Sequence, residues 1–169
     1  MSQDNSVPRL TEEDVQNVIS SWKVVQEIGL QEAGVIVFKR LFETTPMLKE
    51  KFKFLRGEEE LSDDNEHLQK HSLTVMSTID MAVERVRERA LGDLSEDLLD
   101  VGVAHHVHNI SQADFAPVGE AILYTLGGAL GDKFTDSVKE SWIRLYTMVQ
   151  VGMTPGMEKG MEGEPINLE

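Results

Sequence analysis

The chain has 169 residues, of which 40% are hydrophobic. A chain of this length can form one sizeable hydrophobic core and is too short for two. Its 30 acidic and 16 basic residues give a formal net charge of -14, which repels nucleic-acid phosphates and anionic membrane surfaces. The absence of cysteine excludes disulfides, thiolate-held metals, iron-sulfur clusters and a cysteine nucleophile.

The N-terminal segment lacks the apolar run of a signal peptide, and Ser2 stands where N-myristoylation needs glycine. No later segment has the length of apolar sequence that crosses a bilayer. We therefore expect a soluble, cytoplasmic protein with no membrane anchor and no nucleic-acid partner.

The first two predicted elements are amphipathic helices. Thr11 precedes three acidic residues and predicts an N-cap, and apolar residues then recur at helical spacing as far as a break at Gly29. A second helix is expected over 32–43, and Pro46 ends it or turns it into a short corner. The large apolar residues that follow this corner indicate a covered segment.

Two further helices each carry a histidine on the apolar face. One is expected over 66–90, with His71 on its apolar stripe, and the next from an N-cap at Ser95 to about His108, with His105 on its inner face. Helices over 115–130, broken at Gly127, and 135–151 complete the pattern. No segment alternates with a period of two, so the predicted class is all-α.

The composition predicts one folded domain with loose ends. We expect a flexible N-terminal extension over 1–10, a folded domain over 11–153 and a disordered acidic tail over 154–169, which is rich in Gly, Glu and Met.

The two histidines are the main functional signal. A lone histidine on an apolar face is usually a core residue bonded to a carbonyl, but His71 lies near the start of one helix and His105 near the end of the next. If the helices double back, both imidazoles reach the same end of the hairpin. A zinc site needs three or four protein ligands. His106 and His108 are the neighbouring candidates, but on a helix they point away from the direction of His105, so zinc fits the pattern poorly. Haem needs only one or two axial imidazoles and an apolar slot, so it fits the pattern better.

At these residues the sequence resembles the globin family, and within it the neuroglobin and globin X group. The resemblance runs from about Leu10 to Met153. It is carried by Trp22, Val37 to Phe42, Pro46, Phe52, His71, Val75, Ile79 to Val83, Val101 to His105, Phe115, Val118 to Tyr124, and Ser141 with Trp142. It implies the globin fold, a three-over-three helical sandwich around haem b (iron protoporphyrin IX).

The resemblance also implies a role for each site residue. His105 is expected to be the proximal iron ligand, with its second ring nitrogen donating to a carbonyl near Val101, and His71 is expected to be the distal ligand. The expected contacts of the haem are Phe38, Phe52, Val75, Val101, His108, Ile110 and Phe115. Thr74 departs from the pattern, because neuroglobins carry a propionate-binding lysine there.

The implied function is reversible binding of oxygen and other small ligands (carbon monoxide, nitric oxide or nitrite) at a bis-histidyl iron from which His71 is displaced. The expected role is oxygen or redox sensing, storage, or electron transfer with a redox partner protein. The alternatives are a pentacoordinate oxygen storage or transport globin, a haem enzyme acting on nitrite or nitric oxide, and a globin-like interaction module without haem. We expect a ligand-binding or redox protein rather than an enzyme, with nitrite reductase or nitric oxide dioxygenase activity at most secondary.

Overall fold

A computed structural model describes residues 9–52, 62–107 and 110–161. The helices in these ranges are α1 (Glu12–Ile28), α2 (Leu30–Thr44), α3 (Glu66–Arg87), α4 (Leu91–Val107), α5 (Phe115–Leu130) and α6 (Asp136–Met161). Short 3-10 turns occupy Pro46–Lys51, Gln112–Asp114 and Gly131–Lys133. These ranges contain no strand, and the all-α prediction is confirmed.

The two ends of α1 follow the predicted signals. The Thr11 hydroxyl accepts a hydrogen bond from the backbone N–H of Asp14 at 3.1 Å, and the Asp14 carboxylate accepts one from the Thr11 N–H at 2.9 Å. This reciprocal pair satisfies two N–H groups that the helix leaves open. At the other end, Gly29 has φ +110°, a conformation that L side chains rarely adopt, so the chain changes direction there into α2.

The helices stack in two layers, α1, α3 and α4 on one side and α2, α5 and α6 on the other. Between the layers α3 packs mainly on α2, and α4 packs mainly on α6. The α2–α3 crossing is close because Gly34 has no side chain, and a methyl group there would lie 2.7 Å from the Ser72 carbonyl oxygen. The three-over-three arrangement expected from the sequence is confirmed.

The start of α4 differs from the prediction. The helix begins at Leu91, and Ser95 lies inside it, where its hydroxyl donates to the Leu91 carbonyl at 3.1 Å. The prediction that Ser95 caps the helix was therefore wrong. The preceding turn reverses the chain at Arg89, whose φ of +59° is rare for a residue with a side chain.

Two helices differ from the prediction: the expected break at Gly127 and Gly128 in α5 was wrong, and α6 is longer than expected. α5 runs without a break through Gly127 to Leu130, because Leu126 and Leu130 bury its inner face. α6 continues past the predicted end to Met161, through Pro155. The expectation of a disordered tail was wrong for residues 154–161, since Met157 is buried in the core. Residues 162–169, and 1–8 of the predicted N-terminal extension, lie outside the described ranges, and Leu10 packs against the core.

Candidate functional site

An aromatic cluster surrounds His71. The ring centroid of His71 lies 5.1 Å from that of Phe38 and 5.2 Å from that of Phe52, and the two phenylalanines are 5.8 Å apart with an edge-to-face angle of 80°. Such tilted and edge-to-face pairs are the favoured arrangements for aromatic rings. The α2 helix supplies Phe38, the end of the 3-10 corner supplies Phe52, and the second turn of α3 supplies His71.

The position of His71 follows from the way α3 begins and packs. The Asn65 side chain caps the helix by accepting from the Leu68 N–H at 3.0 Å, which sets the rotation of the first turns. Ser72 is fully buried against Gly34 of α2. His71 and Val75, four residues apart on one face, are both half-buried at the edge of this contact.

Phe42, which is not among the expected haem contacts, also belongs to the aromatic cluster. Its ring centroid is 5.3 Å from that of Phe52 and 5.9 Å from that of Phe38. Its spacing of four residues from Phe38 on one helix was the available signal. Phe42 supports Phe52 from behind, because it is itself almost fully buried.

His105 has a defined orientation. Its Nδ1 lies 2.7 Å from the carbonyl oxygen of Val101, one turn earlier in α4. A carbonyl can only accept a hydrogen bond, so Nδ1 carries a proton, and Nε2 is the ring nitrogen left for another partner. This oriented imidazole therefore offers Nε2 for metal coordination.

The ring of Phe115 lies beside His105, with their centroids 5.3 Å apart. Phe115 is the first residue of α5 and is buried, and the Tyr146 hydroxyl of α6 donates a hydrogen bond to its carbonyl. Burial raises the pKa of Tyr146 well above its usual value, although a backbone hydrogen bond from Gly119 acts in the opposite direction. Tyr146 therefore remains a neutral donor and holds the start of α5 against the His105 side of the fold.

Of the remaining predicted site residues, the structure describes Val75 and Ile110 but not His108. Val75 and Ile110 are half-buried and pack against the core, and the Ile110 N–H donates to the His105 carbonyl at 3.1 Å as the chain leaves α4. His108 lies outside the described residues. His67, one turn before His71, is exposed.

A salt bridge links the two halves of the site. The Lys51 ammonium lies 2.5 Å from the Asp114 carboxylate, and these residues directly precede Phe52 and Phe115 in the chain. Burial alone would raise the pKa of Asp114, but hydrogen bonds from Lys51 and Ser111 outweigh it, and the pKa lies below its ordinary value. Sequence reasoning did not find this pair, because nothing in the local pattern connects positions so far apart.

The two histidines stand on consecutive helices that have different supports. α3 is backed by α2, α4 is backed by α6, and α3 and α4 make few contacts with each other. Each histidine projects from the half-buried edge of its helix, beside aromatic rings. Each imidazole therefore stands beside aromatic surface that a flat apolar ligand could contact.

The described residues contain neither a second candidate metal site nor a candidate membrane-spanning helix. Within them, no group of three or more His, Cys, Asp and Glu side chains could hold a metal ion. Over the same ranges, no helix is both long enough and apolar enough to cross a bilayer. A groove of about 880 Å³ between α1, α2 and α5 is lined mainly by apolar residues and by neither His71 nor His105.

Comparison with protein families and curated proteins gives a consistent result. The family model described as Globin matches residues 35–153. The chain is 31% identical over 156 residues to Neuroglobin-2 of Oncorhynchus mykiss and to Neuroglobin of Chaenocephalus aceratus, covering 91% of this chain and 96% of each relative. Neuroglobin of Danio rerio matches to the same extent.

Among solved structures, the chain resembles one described as a hexacoordinated heme protein from an anhydrobiotic tardigrade, determined at pH 4. The TM-score is 0.78, and the match covers 89% of this chain and 97% of that chain. The sequence identity is 20%, so this likeness bears on the fold.

Proposed function

Because the chain belongs to the globin family, we propose that it binds haem b between α3 and α4, with His105 as the proximal and His71 as the distal iron ligand. The observation that carries the proposal is the hydrogen bond between His105 Nδ1 and the Val101 carbonyl, at 2.7 Å. It leaves Nε2 as the coordinating nitrogen and fixes the plane of the ring.

The residues around both histidines fit a large, flat, apolar group. Phe38 and Phe52 flank His71, and Phe115 flanks His105, so aromatic surface is available on both sides. Val75, Val101 and Ile110 add half-buried aliphatic surface. In this proposal Phe52 and Val75 would contact the bound porphyrin, and His108, which lies outside the described residues, would be the residue that contacts a propionate.

The distal histidine is proposed to bind the iron itself, which makes the haem six-coordinate. The rings of Phe38 and Phe52 lie 5.1 and 5.2 Å from the His71 ring, and they restrict the space into which it can swing. The likeness to neuroglobins, and to a protein described as hexacoordinated, supports this choice. A pentacoordinate iron, with His71 only donating to a bound ligand, is the alternative.

Gating by His71 has a quantitative consequence. When haem is bound, its iron supplies the site for oxygen, carbon monoxide or nitric oxide. The apparent affinity then falls by the fraction of time that His71 leaves the site open, so a site open about 1% of the time binds about 100-fold more weakly. This cost favours oxygen or redox sensing, electron transfer or nitrite chemistry over bulk oxygen transport.

The absorption spectrum of the deoxygenated ferrous protein tests both parts of the proposal. We expect a Soret band with the sharp visible bands of six-coordinate low-spin iron. His71→Leu should give a five-coordinate high-spin spectrum and faster carbon monoxide binding, because the competing imidazole is gone. His67→Leu, one turn earlier on α3 and exposed, is the matched control and should resemble the unmodified protein.

Each failure has its own meaning. A colourless protein that takes up no haem would refute the haem proposal and favour an interaction module. A high-spin ferrous spectrum in the unmodified protein would keep the haem but exclude ligation by His71. Haem binding that survives His105→Ala with an unchanged spectrum would exclude His105 as the proximal ligand.

A further inference from the structure

The backbones of α4 and α6 touch directly at glycine residues. A methyl group on Gly102 of α4 would lie 2.1 Å from the Met153 carbonyl oxygen of α6. In the reverse direction, a methyl group on Gly156 of α6 would lie 2.2 Å from the Leu99 carbonyl oxygen and 2.8 Å from the Val103 nitrogen of α4. No side chain separates the two helices at these points. The position of the α6 backbone therefore sets the position of the α4 backbone.

This contact lies about one turn before the histidine of α4. Gly102 follows Val101, whose carbonyl accepts the hydrogen bond from His105. The α6 backbone touches α4 at Leu99, Gly102 and Val103, and Gly102 lies three residues before His105 on the same side of the helix. A displacement of this stretch of α4 therefore moves the imidazole and the carbonyl that orients it together.

α4 has little other support in the described ranges. It packs extensively on α6 and makes only a few contacts with α3. Two leucines on its buried side, Leu94 and Leu98, are almost fully enclosed, and Gly152 of α6 allows Leu98 to approach, since a methyl group there would lie 2.6 Å from Leu98 Cδ1. The position of the α4 backbone before His105 thus depends mainly on α6.

The C-terminal end of α6, which contacts α4, is helical because of this packing. Pro155 has no N–H to donate to the Val151 carbonyl, and the glycine that follows it is a poor helix former. Met153 and Met157 are nevertheless buried at 5% and 4% exposure, one turn apart on one side of the helix. Packing against α4 offsets the poor helical propensity, so the two helices hold each other in place.

We propose that Gly102 and Gly156 are positioning residues for His105, and that the end of α6 sets the strength and tilt of the bond between His105 and the haem iron. This inference rests on the proposed function, because it requires His105 to be the proximal ligand. A methyl group at either glycine must separate the backbones by roughly 1 Å to reach ordinary contact. A shift of that size is large compared with the tolerance of a functional site.

The test uses Gly102→Ala and Gly156→Ala in the full chain, with Gly92→Ala as the matched control. Gly92 lies on α4 as well, and a methyl group there meets nothing within 4 Å. The readout is the iron–histidine stretching frequency in the resonance Raman spectrum of the ferrous protein, measured in a His71→Leu background so that His105 is the protein ligand. We expect both glycine variants to shift this band and to release haem about 10- to 100-fold faster, while Gly92→Ala changes neither.

A general loss of stability must be distinguished from a change of position. Val18→Ala, at a fully buried site on α1, should lower the melting temperature and leave the iron–histidine band unchanged. If Gly102→Ala or Gly156→Ala does not fold, Met157→Ala removes packing from the same contact without adding bulk and should also shift the band. An iron–histidine band at the unmodified position in every folded variant of this contact would overturn the inference.

The outcomes separate this inference from the proposal on which it rests. If the His71→Leu protein shows no iron–histidine band at all, His105 is not the ligand and the proposed function fails. If the band is present and responds to none of the variants, the proposed function stands and the positioning role is wrong.

Discussion

The Asp14 carboxylate joins the first and last helices and offers a direct test of the packing argument. It is 3% exposed, and its Oδ1 accepts hydrogen bonds from the Ser141 hydroxyl and the Arg144 guanidinium, both at 2.8 Å. Its Oδ2 accepts from the Thr11 N–H at the start of α1. Replacing Asp14 by alanine removes the helix cap and the contact between α1 and α6 together.

The expected loss is worked from these contacts. Removing one partner of a buried ion pair costs about 3–5 kcal/mol, but the Arg144 side chain is 43% exposed and can return to water, which reduces the cost. A hydrogen bond to a charged group contributes about 1.5–3 kcal/mol and a cap about 1 kcal/mol. We expect Asp14→Ala to lower the free energy of unfolding by about 3 kcal/mol, and the melting temperature by about 6–12 °C.

The charge of Asp14 gives the prediction a pH signature. Burial by itself raises the pKa of Asp14, but hydrogen bonds from Thr11, Ser141 and Arg144 outweigh it and bring the pKa below its ordinary value of 3.8. A lowered pKa in the folded state means that the stabilisation is present at neutral pH and is lost as the pH falls through that pKa. Asp14→Asn should therefore be less stable than the unmodified protein at pH 7, and the difference should shrink below pH 3.8.

Urea denaturation followed by far-ultraviolet circular dichroism measures both effects, on haem-saturated samples at each pH. Glu27→Gln, an exposed carboxylate near the end of the same helix, is the control and should stay within about 0.5 kcal/mol of the unmodified protein. A loss below about 1 kcal/mol for Asp14→Ala would refute the claim that this network joins α1 to α6. A difference for Asp14→Asn that persists unchanged at low pH would refute the role of the charge.

Two further predictions concern the α2–α3 crossing and the salt bridge of the site. Gly34→Ala should destabilise the protein, because the new methyl group meets the Ser72 carbonyl at 2.7 Å, whereas Gly128→Ala, with nothing within 4 Å, should stabilise it by up to about 1 kcal/mol. Thermal melts compare the two, and equal effects would contradict the close crossing. Asp114→Asn should cost about 1 kcal/mol at neutral pH by weakening the bridge to Lys51, and the cost should vanish as the pH falls through the lowered pKa of Asp114, below 3.8. Urea titrations at neutral and acid pH check this, and a cost that does not depend on pH would count against the ion pair.

The part of the site that the sequence predicted is the part that a helical repeat controls. Residues four apart share a face, so the pairing of His71 with Val75 followed once the helices were assigned. The bond from His105 to the Val101 carbonyl was implied by the resemblance to globins, and it too joins residues four apart. The Thr11 cap was readable for a similar reason, because a capping box is formed within four residues.

The errors occurred where tertiary packing overrode local preference. The composition of the tail predicted disorder from residue 154, and the sequence could not show that α4 would cover the stretch around Pro155 and Gly156 and keep it helical. Ser95 looked like a cap by residue type alone, although the helix had already begun at Leu91. Local propensities are worth about 1 kcal/mol or less at most positions, so a few buried contacts can reverse them.

The sequence by itself determined which chemistry is available and which helical faces carry it. The absence of cysteine, and two histidines on apolar faces, already limited the site to imidazole ligands. The tertiary structure decided what lies around those ligands: Phe42 against Phe52, Lys51 against Asp114, and the backbone of α6 directly behind α4 at Gly102. The physical reason is one of range, because helical periodicity acts over a few residues, whereas these contacts join residues as many as 63 positions apart and depend on how the helices cross.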